Sequence, residues 1–355
     1  MSGGIRVLAI YAELLTKNGH QVTLVSPAPP LIKLRSKVRS FISGEGWPKN
    51  QETRSHLDGR GLDHRVLERY RPVMDEDVPD ADVVIATWWE TAEWVNALSR
   101  KKGEKIYFVQ GHEIWEPLPI ERCKATYRMP LHKIVVSRWL ADAMREEYGD
   151  TTVDLVPNAV NHQQFHADVR GKQNVPTVGF LYNEGKAMDV VLPALSRIRS
   201  EFPNLRAICF GIHPPSSRFK LGDFIEFHQE PPQDKLRNLY GQCDVWLAAS
   251  RSEGFNLVAM EAMACRVPLV STRTGWPEEA IVAGRNGVLV DVDDIDGIVR
   301  GAVWVLGLDD KAWRAISENA YQTVAESNWE NSARLFEQVL MKACQGRAVA
   351  PEYHS

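Results

Sequence analysis

Glu253 and Glu261 stand with seven residues between them in the stretch S-R-S-E-G-F-N-L-V-A-M-E-A-M-A, residues 250–264. An ionised carboxylate accepts a pair of hydrogen bonds from a vicinal diol. Two carboxylates flanking a helix start can therefore hold two diols. A nucleotide sugar offers two, one on the ribose and one on the sugar, on either side of its diphosphate. Residues 253–256 read as a tight loop, with a helix opening near Asn256. Backbone N–H groups and the positive end of the helix dipole then gather where an anion binds. Gly254 lets the backbone approach a ligand with no Cβ in the way. The plainer alternative is a capping carboxylate and an ordinary surface glutamate. A second candidate is His112, in Gln110-Gly111-His112-Glu113 after an apolar run at 105–110. A side chain at the C-terminal end of a parallel strand faces the crevice where such sheets bind ligands. Its alternative is a structural histidine bonded to a loop carbonyl.

The elements that must position these residues read as alternating strands and helices. In the second half, apolar β-branched runs occur at 177–182, 206–211, 224–229, 245–250, 268–273 and 287–292, with helical patterns at 188–199, 233–242 and 257–264. Short apolar strands separated by amphipathic helices predict a parallel sheet covered on both faces. Right-handed crossovers make it doubly wound. The first half repeats the pattern with strands at 21–25, 83–87, 105–110, 133–137 and 152–156. A turn at Pro157-Asn158-Ala159-Val160 and a polar stretch at 166–175 place a linker between two α/β domains, 1–165 and 172–328. The helix at 329–345 is expected to pack back on the first domain.

The start is unusual. Ser2-Gly3-Gly4 leads straight into a helix with Leu8, Tyr11, Leu14 and Leu15 on one face and Asn18-Gly19 as its C-cap. A doubly wound half opens with a strand that is normally central. The pattern therefore predicts a first strand missing from the chain: either the initiator methionine is internal to a longer gene, or the sheet has lost a strand and is damaged, and the activity of the chain as given is in question.

Composition narrows the class. The 355 residues are 44% apolar and 25% charged, as in a globular protein with two cores. A net charge of −4 gives no electrostatic case for a nucleic-acid partner. Five cysteines without C-x-x-C spacing are expected to be reduced, which points to the cytoplasm. No apolar run reaches the roughly 18 residues of a spanning helix. Asp291-Val292-Asp293 and Asp75-Glu76-Asp77 look like metal-binding pairs but read as loops and helix starts, and no metal is expected. The tryptophans 88, 89 and 94 follow a strand. They suit stacking on sugar rings, or a core or lid.

The run E-G-F-N-L-V-A-M-E-A-M-A resembles the E-x(7)-E signature of family 4 retaining glycosyltransferases, which have the GT-B fold: two Rossmann-like doubly wound domains facing across a cleft. Other marks agree. Gly3-Gly4 and Asn18-Gly19-His20 resemble the family's G-G loop and G-H turn. P-N-A-V-N at 157–161 resembles its interdomain P-N-G-V-D, and N-G-V-L-V at 286–290 and Trp329 also fit.

The resemblance implies that Glu261 holds the ribose hydroxyls and Glu253 the transferred sugar. The amides of Phe255 and Asn256 would serve the diphosphate or sugar, and Lys186 would neutralise the diphosphate and stabilise the leaving group. His112 would contact the donor sugar, and Gly3 and Gly4 would form the opposite lip of the cleft. Lys186 could instead be an ordinary solvated lysine. Three departures stand out. Phe180 occupies the arginine position of a G-R-x motif, Gly185 precedes Lys186 rather than following it, and Arg266 replaces a helix-ending glycine.

The implied activity is transfer of a sugar from a nucleotide-sugar donor to a hydroxyl on a glycan or lipid-linked acceptor, in glycan or polysaccharide synthesis. It would proceed by front-face substitution with retention, with no cofactor beyond the donor. The alternative is a GT-B protein that binds a nucleotide sugar without turnover. A dinucleotide oxidoreductase is disfavoured because no G-x-G-x-x-G follows any strand. Residues 31–42, L-I-K-L-R-S-K-V-R-S-F-I, read as a basic amphipathic helix suited to peripheral contact with an anionic membrane. The competing reading is a mobile acceptor-side loop.

Overall fold

The computed structural model describes residues 3–29 and 55–348. The basic stretch 31–42 lies outside the described residues. The chain divides into two compact units. Unit 1 comprises Met1–Ile134, Met144–Asp154 and Ala333–Ser355; unit 2 comprises Val135–Ala143 and Leu155–Ser332.

Unit 2 carries a six-stranded sheet made of β7 (Thr177–Leu181), β8 (Arg206–Gly211), β9 (Ile225–Gln229), β10 (Val245–Ala248), β11 (Leu269–Thr272) and β12 (Gly287–Val290). The order is β12-β11-β10-β7-β8-β9, and every pairing is parallel. That is the Rossmann order, with the chain reversing direction across the sheet between β7 and β10. The strands read as unbroken apolar runs because helices cover both faces. β7, β10 and β11 are almost wholly buried.

Three helices follow β7, β10 and β12 and pack on this sheet: α5 (Met188–Glu201), α7 (Leu257–Ala264) and α9 (Ile295–Gly307). Ala194, Leu195 and Ile198 of α5 and Ala302, Val305 and Leu306 of α9 share one core with Val178, Phe180, Val245 and Leu247. Trp246 lies over β7, where a Cβ on Gly179 would run into its ring and come within 2.6 Å of Cys243 Sγ. This close approach requires glycine at 179.

Unit 1 begins with α1 (Gly3–Lys17), which buries Val7, Ala9, Tyr11, Ala12 and Leu15. The expected face is therefore shifted: Tyr11 and Leu15 are in it, whereas Leu8 and Leu14 are only half-buried. Gly3 and Gly4 form the first turn of this helix rather than a loop before it. Tyr11 stacks on Phe336 of α11 (Trp329–Ala348) at 4.5 Å and meets Phe108 edge-on.

The strands of unit 1 form two sheets. β1 (Thr23–Ser26) pairs in parallel with β2 (Asp63–Val66). Separately, β3 (Val83–Ala86), β4 (Glu104–Val109), β5 (His132–Val135) and β6 (Asp154–Leu155) lie in sequence order. β2 has the sequence D-H-R-V and is almost entirely exposed, so it carries no apolar signal. The helices α2 (Trp89–Ala97), α3 (Ile120–Thr126) and α4 (Arg138–Tyr148) follow β3, β4 and β5. All five cysteines are free thiols, four of them buried.

Candidate functional site

The chemistry of unit 2 gathers where the strand order reverses. β7 and β10 are neighbours although their paired positions Val178 and Val245 lie 67 positions apart in the chain. A pocket at their C-terminal ends is lined by Leu181, Lys186, Ala249, Ser250, Glu253 and Asn256 among others. Crevices of open α/β sheets bind ligands at this switch point.

Within the pocket Lys186 donates to Glu253 Oε1, and Ser250 Oγ donates to the same oxygen at 2.7 Å. Lys186 comes from the loop after β7 and the other two from the loop after β10, so the strand order alone brings them together. Asn256 caps α7 in a left-handed conformation (φ 79°), with Oδ1 accepting from the Ala259 N–H at 3.2 Å. Asparagine tolerates that region better than most residues. The helix starts at Leu257, the first residue of the expected pattern 257–264.

The loop carrying Gly254 and Phe255 is pinned from several sides within unit 2. The Gly254 carbonyl accepts from Ser137 Oγ at 2.7 Å and from Trp139 Nε1 at 3.1 Å. The Phe255 ring stacks on Trp276 at 5.8 Å, and the Trp276 N–H donates to the Phe255 carbonyl at 2.8 Å. Gly275 (φ 65°) allows this approach, since a Cβ there would lie 2.8 Å from the Phe255 oxygen. Trp276 opens α8 (Trp276–Ala280). No sequence pattern marked Ser137 or Trp139 for this part; Ser250 and Trp276 lay inside the informative stretch 250–279 without an assigned role.

Glu261 does not line the pocket with Glu253. It sits in the second turn of α7, 3% exposed, and its Oε2 accepts from Tyr240 Oη at 2.9 Å. Two of the three departures noted in the sequence have a structural account. Phe180 is fully buried in β7 and supplies no charge. The neighbouring cation Arg251 is held by Asp189 and Asp293. Arg266 does adopt the left-handed conformation, at φ 64°. Its guanidinium pairs with Glu318, donates to the Ala167 carbonyl at 3.1 Å and lies over the Tyr321 ring.

In unit 1, His112 is buried, and its Nε2 lies 2.6 Å from Tyr148 Oη. Burial holds its pKa below the ordinary histidine value, against the opposing pull of Glu147. Next to it, Glu113 is buried among Trp89, Tyr107 and Tyr127. Gly4 lies near the Gln110 amide, where a Cβ would be 3.4 Å from Nε2.

The remaining candidates have structural employment. Trp89 is buried beneath Arg122, Trp88 faces Trp115 at 6.0 Å, and Trp94 meets Tyr70 edge-on. Asp77 takes Arg71, Asp75 takes the Ser99 N–H, and Asp291 pairs with Arg273. Among the described residues no group of three or more His, Cys, Asp or Glu side chains is placed to hold a metal ion, and no helix is long and apolar enough to cross a membrane.

Two parallel-sheet α/β units, one of them in Rossmann order, are the parts of a GT-B fold. Residues 1–164 match the family Glycosyltransferase Family 4, and residues 172–307 match Glycosyl transferases group 1. The two matches together take in most of the chain. The D-inositol 3-phosphate glycosyltransferase of Corynebacterium urealyticum is 36% identical over 110 residues, 31% of this chain and 26% of that protein. The match thus spans about a quarter of the relative's length. Sucrose-phosphate synthase from Thermosynechococcus elongatus shares the fold at TM-score 0.69 and 17% identity, over 96% of this chain and 92% of that one. An Anabaena protein solved in complex with UDP and glucose shares it at TM-score 0.67 and 14% identity, over 96% of each chain.

Proposed function

We propose that the chain binds a nucleotide sugar at the switch point of unit 2 and transfers the sugar to a hydroxyl acceptor with retention of configuration. The observation that carries this reading is the Lys186–Glu253–Ser250 cluster at the mouth of α7. An ammonium and a helix N-terminus at one place suit a diphosphate. A carboxylate beside them suits the hydroxyls of the attached sugar. When a diphosphate enters, Lys186 turns from Glu253 to the phosphate oxygens. Its charge then stabilises the leaving group as the glycosidic bond breaks. Glu253, still held by Ser250, is released to accept from the sugar.

Glu261 takes the ribose hydroxyls, and the amides of Phe255 and Asn256, next to Gly254, serve the diphosphate or sugar. In unit 1, His112 acts on the donor sugar, with Gly3 and Gly4 at the start of α1 as further donor contacts. The acceptor hydroxyl attacks from the leaving-group side, and the departing phosphate oxygen takes its proton. No metal and no separate base enter this scheme. A glycan or lipid-linked acceptor fits the class. Residues 31–42 would bring the protein to the inner face of an anionic membrane, and binding to vesicles with and without anionic lipid tests that part.

Calorimetric titration with UDP and GDP tests the donor site. One of them should bind, and Lys186→Ala should weaken binding about tenfold or more, the scale of a charge-assisted contact. NMR of the transferred sugar then reads its anomeric configuration. An inverted product refutes retention, and binding without turnover identifies the chain as a nucleotide-sugar binder only.

A further inference from the structure

A peptide group whose carbonyl is held has its N–H aimed as well. The bond is planar and trans, so the C=O of one residue and the N–H of the next point in opposite directions. In the donor loop the Phe255 carbonyl accepts from the Trp276 N–H at 2.8 Å. The same two residues stack their rings, 5.8 Å apart and inclined by 20°. Gly275 completes the contact, since a Cβ there would lie 2.8 Å from the Phe255 oxygen and 3.0 Å from Glu253 Cβ. Trp276 thus holds one peptide of the loop by its backbone and by its side chain.

The strand order fixes where the other end of that peptide points. Trp276 follows β11, which flanks β10 on one side, and β7 flanks it on the other. The Phe255 carbonyl is drawn to the β11 side. The Asn256 N–H is therefore turned towards β7, the side from which Lys186 comes, and Asn256 lines the pocket with Lys186 and Glu253. Among the described residues no group accepts from this N–H. It stands just ahead of the first turn of α7, whose leading amides lack partners within the helix. We propose that Trp276 is a positioning residue for the donor phosphate: it sets the Phe255–Asn256 peptide so that the Asn256 N–H donates to the phosphate that bears the sugar. The proposal rests on the reading of this pocket as the diphosphate site. In this role Trp276 acts through Phe255 rather than on the donor.

The neighbouring contacts are separate. Ser137 and Trp139 hold the Gly254 carbonyl, and Glu261 is bonded to Tyr240 at the end of α6 (Leu236–Gly241). Loss of the Trp276 contact therefore frees one peptide and leaves the nucleoside side of the site in place. Calorimetry reads the affinities of UDP and UMP for the full chain and its variants, with the guanosine pair used if the wild type binds only GDP. The wild type should favour the diphosphate about tenfold or more, the scale of charge-assisted hydrogen bonds. Trp276→Ala keeps the backbone N–H but loses the ring. It should cut that preference about threefold to fivefold, the worth of an aromatic pair, with UMP affinity unchanged. Trp276→Phe restores a stacked ring and should restore the preference. Trp276→Pro, tolerated at the first position of a helix, removes the N–H as well and should cut the preference further than alanine does.

If Lys186→Ala loses the preference while Trp276→Ala keeps it in full, or weakens UDP and UMP alike, Trp276 is a structural residue. The proposal is then overturned and the diphosphate reading stands. A proline variant with the same preference as the alanine variant also overturns it; if the proline variant does not fold, the comparison of alanine with phenylalanine decides. No preference in the wild type, or a preference untouched in Lys186→Ala, overturns the diphosphate reading and the proposal with it.

Discussion

Replacing Glu113 by glutamine should change how the stability of the protein depends on pH. The carboxylate is 2% exposed. Its Oε2 accepts from the Trp89 N–H at 2.8 Å, the first residue of α2, and from Tyr107 Oη at 3.2 Å. Its own N–H donates to Tyr127 Oη at 2.7 Å. Burial pushes the Glu113 pKa up to about 8, against the pull of the Trp89 N–H and the Tyr107 hydroxyl. Desolvation wins because two hydrogen bonds do not replace the water lost around a full charge.

The folded chain then holds this proton more tightly than the unfolded chain, whose glutamate titrates near 4.5. The stability Glu113 contributes is fully present below about pH 4.5 and is lost as pH rises towards 8. Between pH 5 and 8 the loss amounts to about 3 kcal/mol by linkage, as an order of magnitude. Glutamine is nearly isosteric, its carbonyl can accept the same two bonds, and it does not titrate. Urea denaturation of wild type and Glu113→Gln at pH 5 and pH 8 isolates the effect as a difference between the two proteins. The wild type should lose stability relative to the variant by that amount over the interval. A difference that stays constant within about 0.5 kcal/mol, the usual scale of a neutral substitution, means the carboxyl is already ionised in the fold at pH 5, and the desolvation argument fails.

Arg266→Ala should be less stable than Arg266→Gly by about 1 kcal/mol, since both lose the Glu318, Ala167 and Tyr321 contacts but only alanine keeps the cost of the left-handed cap; thermal melts of the pair read it, and equal stability refutes it. Gly179→Ala should destabilise by about 1–3 kcal/mol or more, the cost of overpacking a filled core, because its Cβ would run into Trp246. Chemical denaturation measures that loss, and a variant as stable as wild type would show that Trp246 can move off β7.

The parts of the fold that were legible in the sequence are those with one-sided chemistry. The strands of unit 2 are buried on both faces and announce themselves as apolar runs, so β7 to β12 fall within a few residues of their expected places. α7 coincides with the expected 257–264. β2 was invisible because an exposed D-H-R-V edge has no apolar period. The left-handed cap at Arg266 could be expected from the helix-to-strand turn, but its compensation could not. Glu318 and Tyr321 lie on a later helix, α10 (Asp310–Val324), more than fifty residues downstream.

The site shows the same division at finer scale. Motif spacing pointed to Glu253 and Lys186 separately; their contact follows from β10 inserting beside β7, which only the strand order shows. Spacing also treated Glu253 and Glu261 as equivalent, although one faces a pocket and the other is buried against an aromatic cluster. An ionised group near the surface can trade one partner for another at small cost, as Lys186 and Glu253 must if a diphosphate is to enter between them. A buried one cannot, because each lost bond leaves an unsatisfied charge in low dielectric. On the proposed reading, the half-buried carboxylate at the pocket is therefore the one suited to follow a sugar through bond breaking, and the fully buried one is suited to a contact that stays the same throughout the reaction. The nucleoside is the part of the donor that does not change.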